Sequence, residues 1–215
     1  MKKNRLESFS DGVFAIVITL LVLELKLPDV AYGALHQSLA GLLPSIGAYV
    51  LSFLLVGMYW VFHHYAFTLL ESVDGVLLWL NILFLLFISF MPFPTMMLGR
   101  YPFQTLPVVI YGINLMLANM TGLASVLYLK RNQQLASPRF TPAVYRSQLR
   151  SYLVVNGLYV ANLALAFVAP AVSVAVFAIL ALYLMYRSVA LMGIGTCTPA
   201  YEPGLRDSPT QDEMI

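Results

Sequence analysis

The chain has 215 residues, of which 60% are hydrophobic and only 10% charged, against roughly 25% charged in an ordinary soluble domain. A mean hydropathy of +0.80 is more apolar surface than one aqueous core can hide, which excludes a soluble enzyme, a disordered protein and a nucleic-acid binder. The formal net charge is +2, and a single cysteine, Cys197, rules out an internal disulfide. What remains is an all-α polytopic membrane protein.

A helix crossing a hydrocarbon core of ~30 Å needs about 20 mostly apolar residues. Six runs qualify, at Phe9–Leu27, Leu42–Phe67, Val76–Leu98, Thr105–Leu129, Tyr152–Ala169 and Ala171–Met192. They are apolar all round, not alternating, which excludes a β-barrel. Connector chemistry supports these cuts. Pro28-Asp29 ends the first helix, and Pro44 suits the first turn of the second. Ser72 or Asp74, with Gly75, caps the third. Pro92 and Pro94 end or kink it. Pro102 and Pro107 flank the fourth, and Pro170 splits the last apolar stretch into a hairpin. Residues 1–195 therefore read as one six-helix transmembrane domain. Residues 196–215, with three prolines, four acids and one arginine, read as a polar tail that cannot bury enough surface to fold alone.

Basic residues set the orientation. One side holds Lys2, Lys3, Arg5, Lys130, Arg131, Arg139, Arg146, Arg150, Arg187 and Arg206; the other holds only Lys26 and Arg100. Both termini are thus expected in the cytoplasm of a multi-pass protein of the bacterial inner membrane. Lys2-Lys3-Asn4-Arg5 before an apolar run has the form of a signal peptide. No small-x-small cleavage site follows Leu25, however, so an uncleaved first span is expected.

The first helix carries the most information. A carboxylate in or near hydrocarbon is costly unless paired or hydrated, so Asp11 needs a partner. On a wheel with Ile16 at zero, Phe9, Gly12, Thr19, Leu20 and Leu23 fall within about 60°, while Ser10 and Asp11 fall more than about 100° away. One face is apolar with a single hydroxyl; the other carries a polar pair that must meet a neighbouring helix. Candidate donors are Trp60, His63 and His64 in the second span, Asn81 in the third, and Arg5 at the membrane edge. The alternative is that backbone or interfacial water satisfies each of them separately.

Arg5-x-x-x-Phe9-Ser10-Asp11-Gly12, followed by Val13-Phe14-Ala15-Ile16 and Thr19-Leu20-Leu21, resembles the signature of the transmembrane protein 175 family of potassium channels. Trp60 with His63-His64, and Asn81-Ile82-Leu83-Phe84 running to Phe90-Met91-Pro92-Phe93-Pro94-Thr95, are similar to that family's second and third helices. The likeness covers roughly the first hundred residues. One Phe-Ser-Asp-Gly copy makes the chain similar to the prokaryotic single-repeat form, which implies a homotetramer whose first helix lines a central pore. The resemblance further implies that Ile16, Thr19 and Leu23 face that pore, and that no Thr-Val-Gly-Tyr-Gly filter is used.

Such a pore works by dewetting. A ring of four Ile16 side chains excludes water when narrow, and widens slightly to pass a partly hydrated cation. Potassium sheds water more readily than sodium. Thr19 hydroxyls, about 4.5 Å deeper, replace some lost ligands, and Leu23 adds an apolar layer about 6 Å further on. A ring of Glu24 carboxylates at the outer mouth would concentrate cations; the alternative, since Glu24 lies about 80° from Ile16 on the wheel, is that it pairs with a neighbour. The expected ligand is permeant potassium with no cofactor or metal, and the expected partners are further copies of the chain and the bilayer. The alternative is a proton-coupled transporter using Asp11 with His63 or His64. Adjacent His63 and His64 point about 100° apart on a helix and cannot jointly clamp a metal, and no hydrolase or metalloprotease motif occurs, so no enzyme is expected.

Overall fold

The computed structural model describes residues 3–26 and 39–193. Lys2, Leu27, Pro28, Asp29, Cys197, Arg206 and the polar tail lie outside the described residues. The elements are α1 (Lys3–Leu21) with a 3-10 turn (Val22–Glu24), α2 (Leu43–Thr68), α3 (Gly75–Ser89), α4 (Pro92–Arg100), α5 (Thr105–Arg131), α6 (Pro142–Ala166) and α7 (Pro170–Gly193), with a second 3-10 turn at Gln133–Leu135. Counting α1 with its 3-10 turn and α3 with α4 as single spans, six of these are long and apolar enough to cross a membrane. There is no strand among the described residues, only an isolated bridge between Leu70 and Ala136.

The differences from the sequence reading have local causes. The third span is two helices, because Pro92 at the first turn of α4 lacks the N–H that would continue α3. α6 starts at Pro142, not Tyr152. Its first turns carry Arg146, Gln148 and Arg150, too polar to register as a span, yet Thr141 Oγ1 accepts from Val144 N–H (3.3 Å) and Pro142 pre-sets the first turn. α1 begins at Lys3, before the expected Phe9, and its last turn tightens to 3-10 after Leu21.

α5 is the inner helix, packed against α3, α4, α6 and α7, while α1 lies at one edge against α2, α3 and α4. Buried hydroxyls stitch the interior. Tyr59 donates to the Leu115 carbonyl (3.0 Å) and lies 3.2 Å from the Tyr159 hydroxyl. Gly112 lets α6 and α7 close on α5, since a Cβ there would meet Leu163 at 2.7 Å and Phe177 at 2.9 Å. Asn162 and Ser173 exchange hydrogen bonds with each other's carbonyls across the α6–α7 hairpin (3.1 and 3.2 Å).

One end of the bundle is latched by backbone pairing. Glu71 N–H donates to the Leu135 carbonyl (2.8 Å) and Ser137 N–H to Leu69 (2.9 Å). Lys3 Nζ donates to the Leu70 carbonyl (2.8 Å), which ties the start of α1 to the same end. Beside this latch Asp74 caps α3, accepting from Leu77 N–H (2.9 Å), and its other oxygen accepts from the Tyr128 hydroxyl. Its slight burial would raise the carboxyl pKa, but the hydrogen bonds from Leu77 and Tyr128 outweigh it and hold the group below the ordinary aspartate value.

A depressed carboxylate stabilises the fold above its unfolded pKa, and that stability is lost as pH falls through the lower folded value. Thermal unfolding in mild detergent should therefore show an acid-side loss below about pH 4 that is smaller in Asp74→Asn. Asp74→Ala should cost on the order of 1 kcal/mol at neutral pH through the lost cap. An Asp74→Ala protein as stable as wild type would contradict the role of this cap.

Candidate functional site

α1 buries one face and leaves the other uncovered. Leu6, Ser10, Phe14, Val17 and Leu21 are buried, spaced three or four apart as one helical face requires. Ile16 is 59% exposed and Leu23 64%, with Phe9, Thr19 and Leu20 also exposed on that side. Thr19 Oγ1 donates to the Ile16 carbonyl (2.8 Å). The hydroxyl proton is thereby used on the backbone, and the oxygen lone pairs are left to the uncovered side.

The buried face is fixed by hydrogen bonds. Ser10, fully buried, donates to the Leu6 carbonyl (2.9 Å). Having spent its one proton, it can only accept from its remaining partner, so Asn81 Nδ2 donates to Ser10 Oγ (3.0 Å). That turns Asn81 Oδ1 toward His63 Nε2 (2.8 Å), which must then carry the proton. The His63 ring stacks on Phe84 (5.6 Å, 9° between planes) and lies 4.5 Å from Phe67 and 5.5 Å from Phe14.

Ser10 and Asp11 do not meet the neighbouring helices as one pair. Successive helical residues diverge by about 100°, and Asp11 is half-buried, accepting from Trp60 Nε1–H (2.9 Å). His64 pairs with Glu7 at 3.4 Å. The polar groups thus divide three ways, as Ser10–Asn81–His63, Asp11–Trp60 and Glu7–His64. Arg5 is exposed and makes no hydrogen bond or ion pair among the described residues. Glu7 is the residue that sequence reasoning missed. The available signal was spacing: Glu7 and Asp11 are four apart on α1, Trp60 and His64 four apart on α2. Antiparallel helices bring such pairs face to face.

Glu24 sits in the 3-10 turn and lines a recess with Lys26 and Arg100 at the end opposite the latch, without an ion pair among the described residues. No cluster of three or more metal-ligating side chains occurs among the described residues.

Residues 5–92 match the family described as endosomal/lysosomal potassium channel TMEM175. The chain is 36% identical over 184 residues to a protein named as a potassium channel from Chryseobacterium sp., covering 85% of this chain and 92% of that one. It is 38% identical over 101 residues to a Gallus gallus protein named endosomal/lysosomal proton channel TMEM175, covering 43% of this chain and 20% of that one. The crystal structure of a lysosomal potassium-selective channel TMEM175 homologue from Chamaesiphon minutus superposes with a TM-score of 0.76 at 32% identity, covering 86% of this chain and 97% of that one.

The hydrogen-bond geometry ranks the polar positions. Asn81→Leu strands the His63 Nε2–H in the interior, and a buried unpaired group costs roughly 1–3 kcal/mol. Asp11→Asn should cost less, because the half-buried carboxylate keeps contact with water. Unfolding of both variants in detergent measures the order; a larger loss in Asp11→Asn would contradict it.

Proposed function

Because the chain belongs to the TMEM175 family, we infer that it is a potassium channel, passing ions down their electrochemical gradient, and not an enzyme. The observation that carries the mechanism is the rotation of α1. Its polar face is bonded into α2 and α3, so the stripe Ile16, Thr19, Leu23 is left for something outside one chain. A single chain surrounds no pore with that stripe, and we propose that four copies do, forming a homotetramer with α1 around the axis.

In that arrangement the Ile16 ring is a constriction that excludes water when narrow. A cation passing it loses part of its hydration shell, which costs sodium more than potassium. Thr19 supplies compensation: its oxygen, with the proton donated to the Ile16 carbonyl, presents acceptor lone pairs to a cation. Leu23 forms the next apolar layer, and Glu24, beside Lys26 and Arg100 in its recess, is positioned at the pore mouth. Residues to about 195 form the channel unit, followed by the polar tail.

The basic residues support the orientation. Lys3 joins the latched end, where Lys130 and Arg131 close α5, Arg139 lies in the connector, and Arg146 and Arg150 lie in the first turns of α6. Lys26 and Arg100 lie at the other end. By the positive-inside rule the latched end faces the cytoplasm, with both termini, in the bacterial inner membrane. Proton-coupled transport has less support. Asp11, His63 and His64 bond to Trp60, Asn81 and Glu7 respectively, so the three do not form one relay.

The test is flux from purified protein in liposomes under a potassium gradient. Potassium flux without any second substrate is expected, with sodium flux smaller. Thr19→Val keeps the shape but removes the oxygen, so current should survive while the reversal potential in mixed gradients moves toward the sodium value. Absence of potassium flux from the pure protein would overturn the reading; an unchanged reversal potential would remove Thr19 from selectivity.

A further inference from the structure

Beneath the pore helix lies a cavity of about 120 Å³ between α2, α3, α5 and α6. Met58, Phe62, Ala66 and Val155 give it apolar walls, and His63 and Tyr152 add polar edges. No Asp, Glu, Lys or Arg lines it. Its size is close to that of a ~150 Å³ apolar cavity that accepts benzene.

His63 in this wall carries an unpaired atom. The forced direction of the hydrogen bonds, from His63 Nε2–H to Asn81, from Asn81 to Ser10 and from Ser10 to the Leu6 carbonyl, leaves Nδ1 as a bare acceptor when the ring is neutral. Nδ1 is buried with no hydrogen-bond partner, on a side chain only 7% exposed. The ring cannot turn to find one, since it stacks on Phe84 and Nε2 is committed to Asn81. A buried acceptor left unmade is costly, and a molecule that fills the apolar space and brings one donor removes that cost.

We propose that this cavity is a binding site for a neutral, single-ring or short-chain amphiphile bearing one O–H or N–H donor, which donates to His63 Nδ1. The absence of charged lining residues argues against an ionic ligand, and the volume suits a single ring or a short chain. The ligand would extend the run of hydrogen bonds that ends on α1, so occupancy is communicated to the pore helix through polarisation of Asn81 and Ser10. Binding itself does not depend on the chain conducting ions, and its test is separate from flux.

The probe is 4-fluorophenol, followed by 19F resonance with the full chain in detergent, with fluorobenzene as the analogue lacking the donor. Saturable binding of 4-fluorophenol is expected, with fluorobenzene roughly tenfold weaker, the worth of one hydrogen bond. Ala66→Leu and, separately, Ser125→Leu fill the cavity and should each abolish the binding; if one fails to fold, the other carries the comparison. The His63 Nδ1 15N resonance should move from the bare to the hydrogen-bonded position as 4-fluorophenol is added. Three results would overturn the proposal: equal binding to the filled variants, which means partition into the micelle only; equal affinity for fluorobenzene; or a Nδ1 resonance already hydrogen-bonded before the probe is added and unmoved by it, which means water holds the site.

Discussion

A membrane helix packed on one side only has a problem of rotation. Hydrocarbon does not distinguish one apolar face of α1 from another, so hydrophobicity alone leaves its angle about its own axis weakly defined. The run of hydrogen bonds from His63 through Asn81 to Ser10 and the Leu6 carbonyl removes that freedom. Each donor in it has one available acceptor, and breaking any link leaves a polar group in a medium that cannot solvate it. With Ser10 pinned against α3, Phe14 and Val17 follow it into the interior. Ile16, Thr19 and Leu23 are left facing outward because the helix turns about 100° per residue.

α2 is the element through which this constraint is applied. It presents His63 inward to Asn81, Trp60 toward Asp11 and His64 toward Glu7, and Tyr59 reaches the far side of the bundle at Leu115 and Tyr159. The contacts differ in energy. The Ser10–Asn81–His63 run is buried and its strength is undiluted by water. The Glu7–His64 pair, with the His64 side chain 59% exposed, contributes little. It can set register between α1 and α2 without holding them together.

Much of this was legible in the sequence, and what was not has physical reasons. Span number and order follow from hydropathy alone, because a helix that crosses a bilayer must be apolar for its whole length. The start of α6 did not show, since its first turns leave the apolar stretch while remaining helical on the strength of Thr141 and Pro142. The division of the third span hinged on Pro92, which sequence marks as a stop or a kink without saying which. Ser10, Asp11, Trp60, His63, His64 and Asn81 stood out as polar residues in apolar runs, but not their pairing. The choice between His63 and His64 depends on which side of α2 faces α3, a tertiary fact. Glu7 was overlooked because it lies just before the apolar run, where a carboxylate attracts no notice. The cavity against His63 is invisible to sequence, since it is the space that side chains from four helices fail to fill.

The central claim is that α1 is held at one rotation with Ile16 at the constriction. Cysteine accessibility tests it most directly, in a background where Cys197 has been replaced. Ile16→Cys should react with a water-soluble thiol reagent and lose potassium flux, while Val17→Cys, about 100° around the helix and only 2% exposed, should stay unmodified and conducting. Block at Val17→Cys with none at Ile16→Cys would mean that the helix is turned the other way, and that the polar run on its buried face does not set the pore.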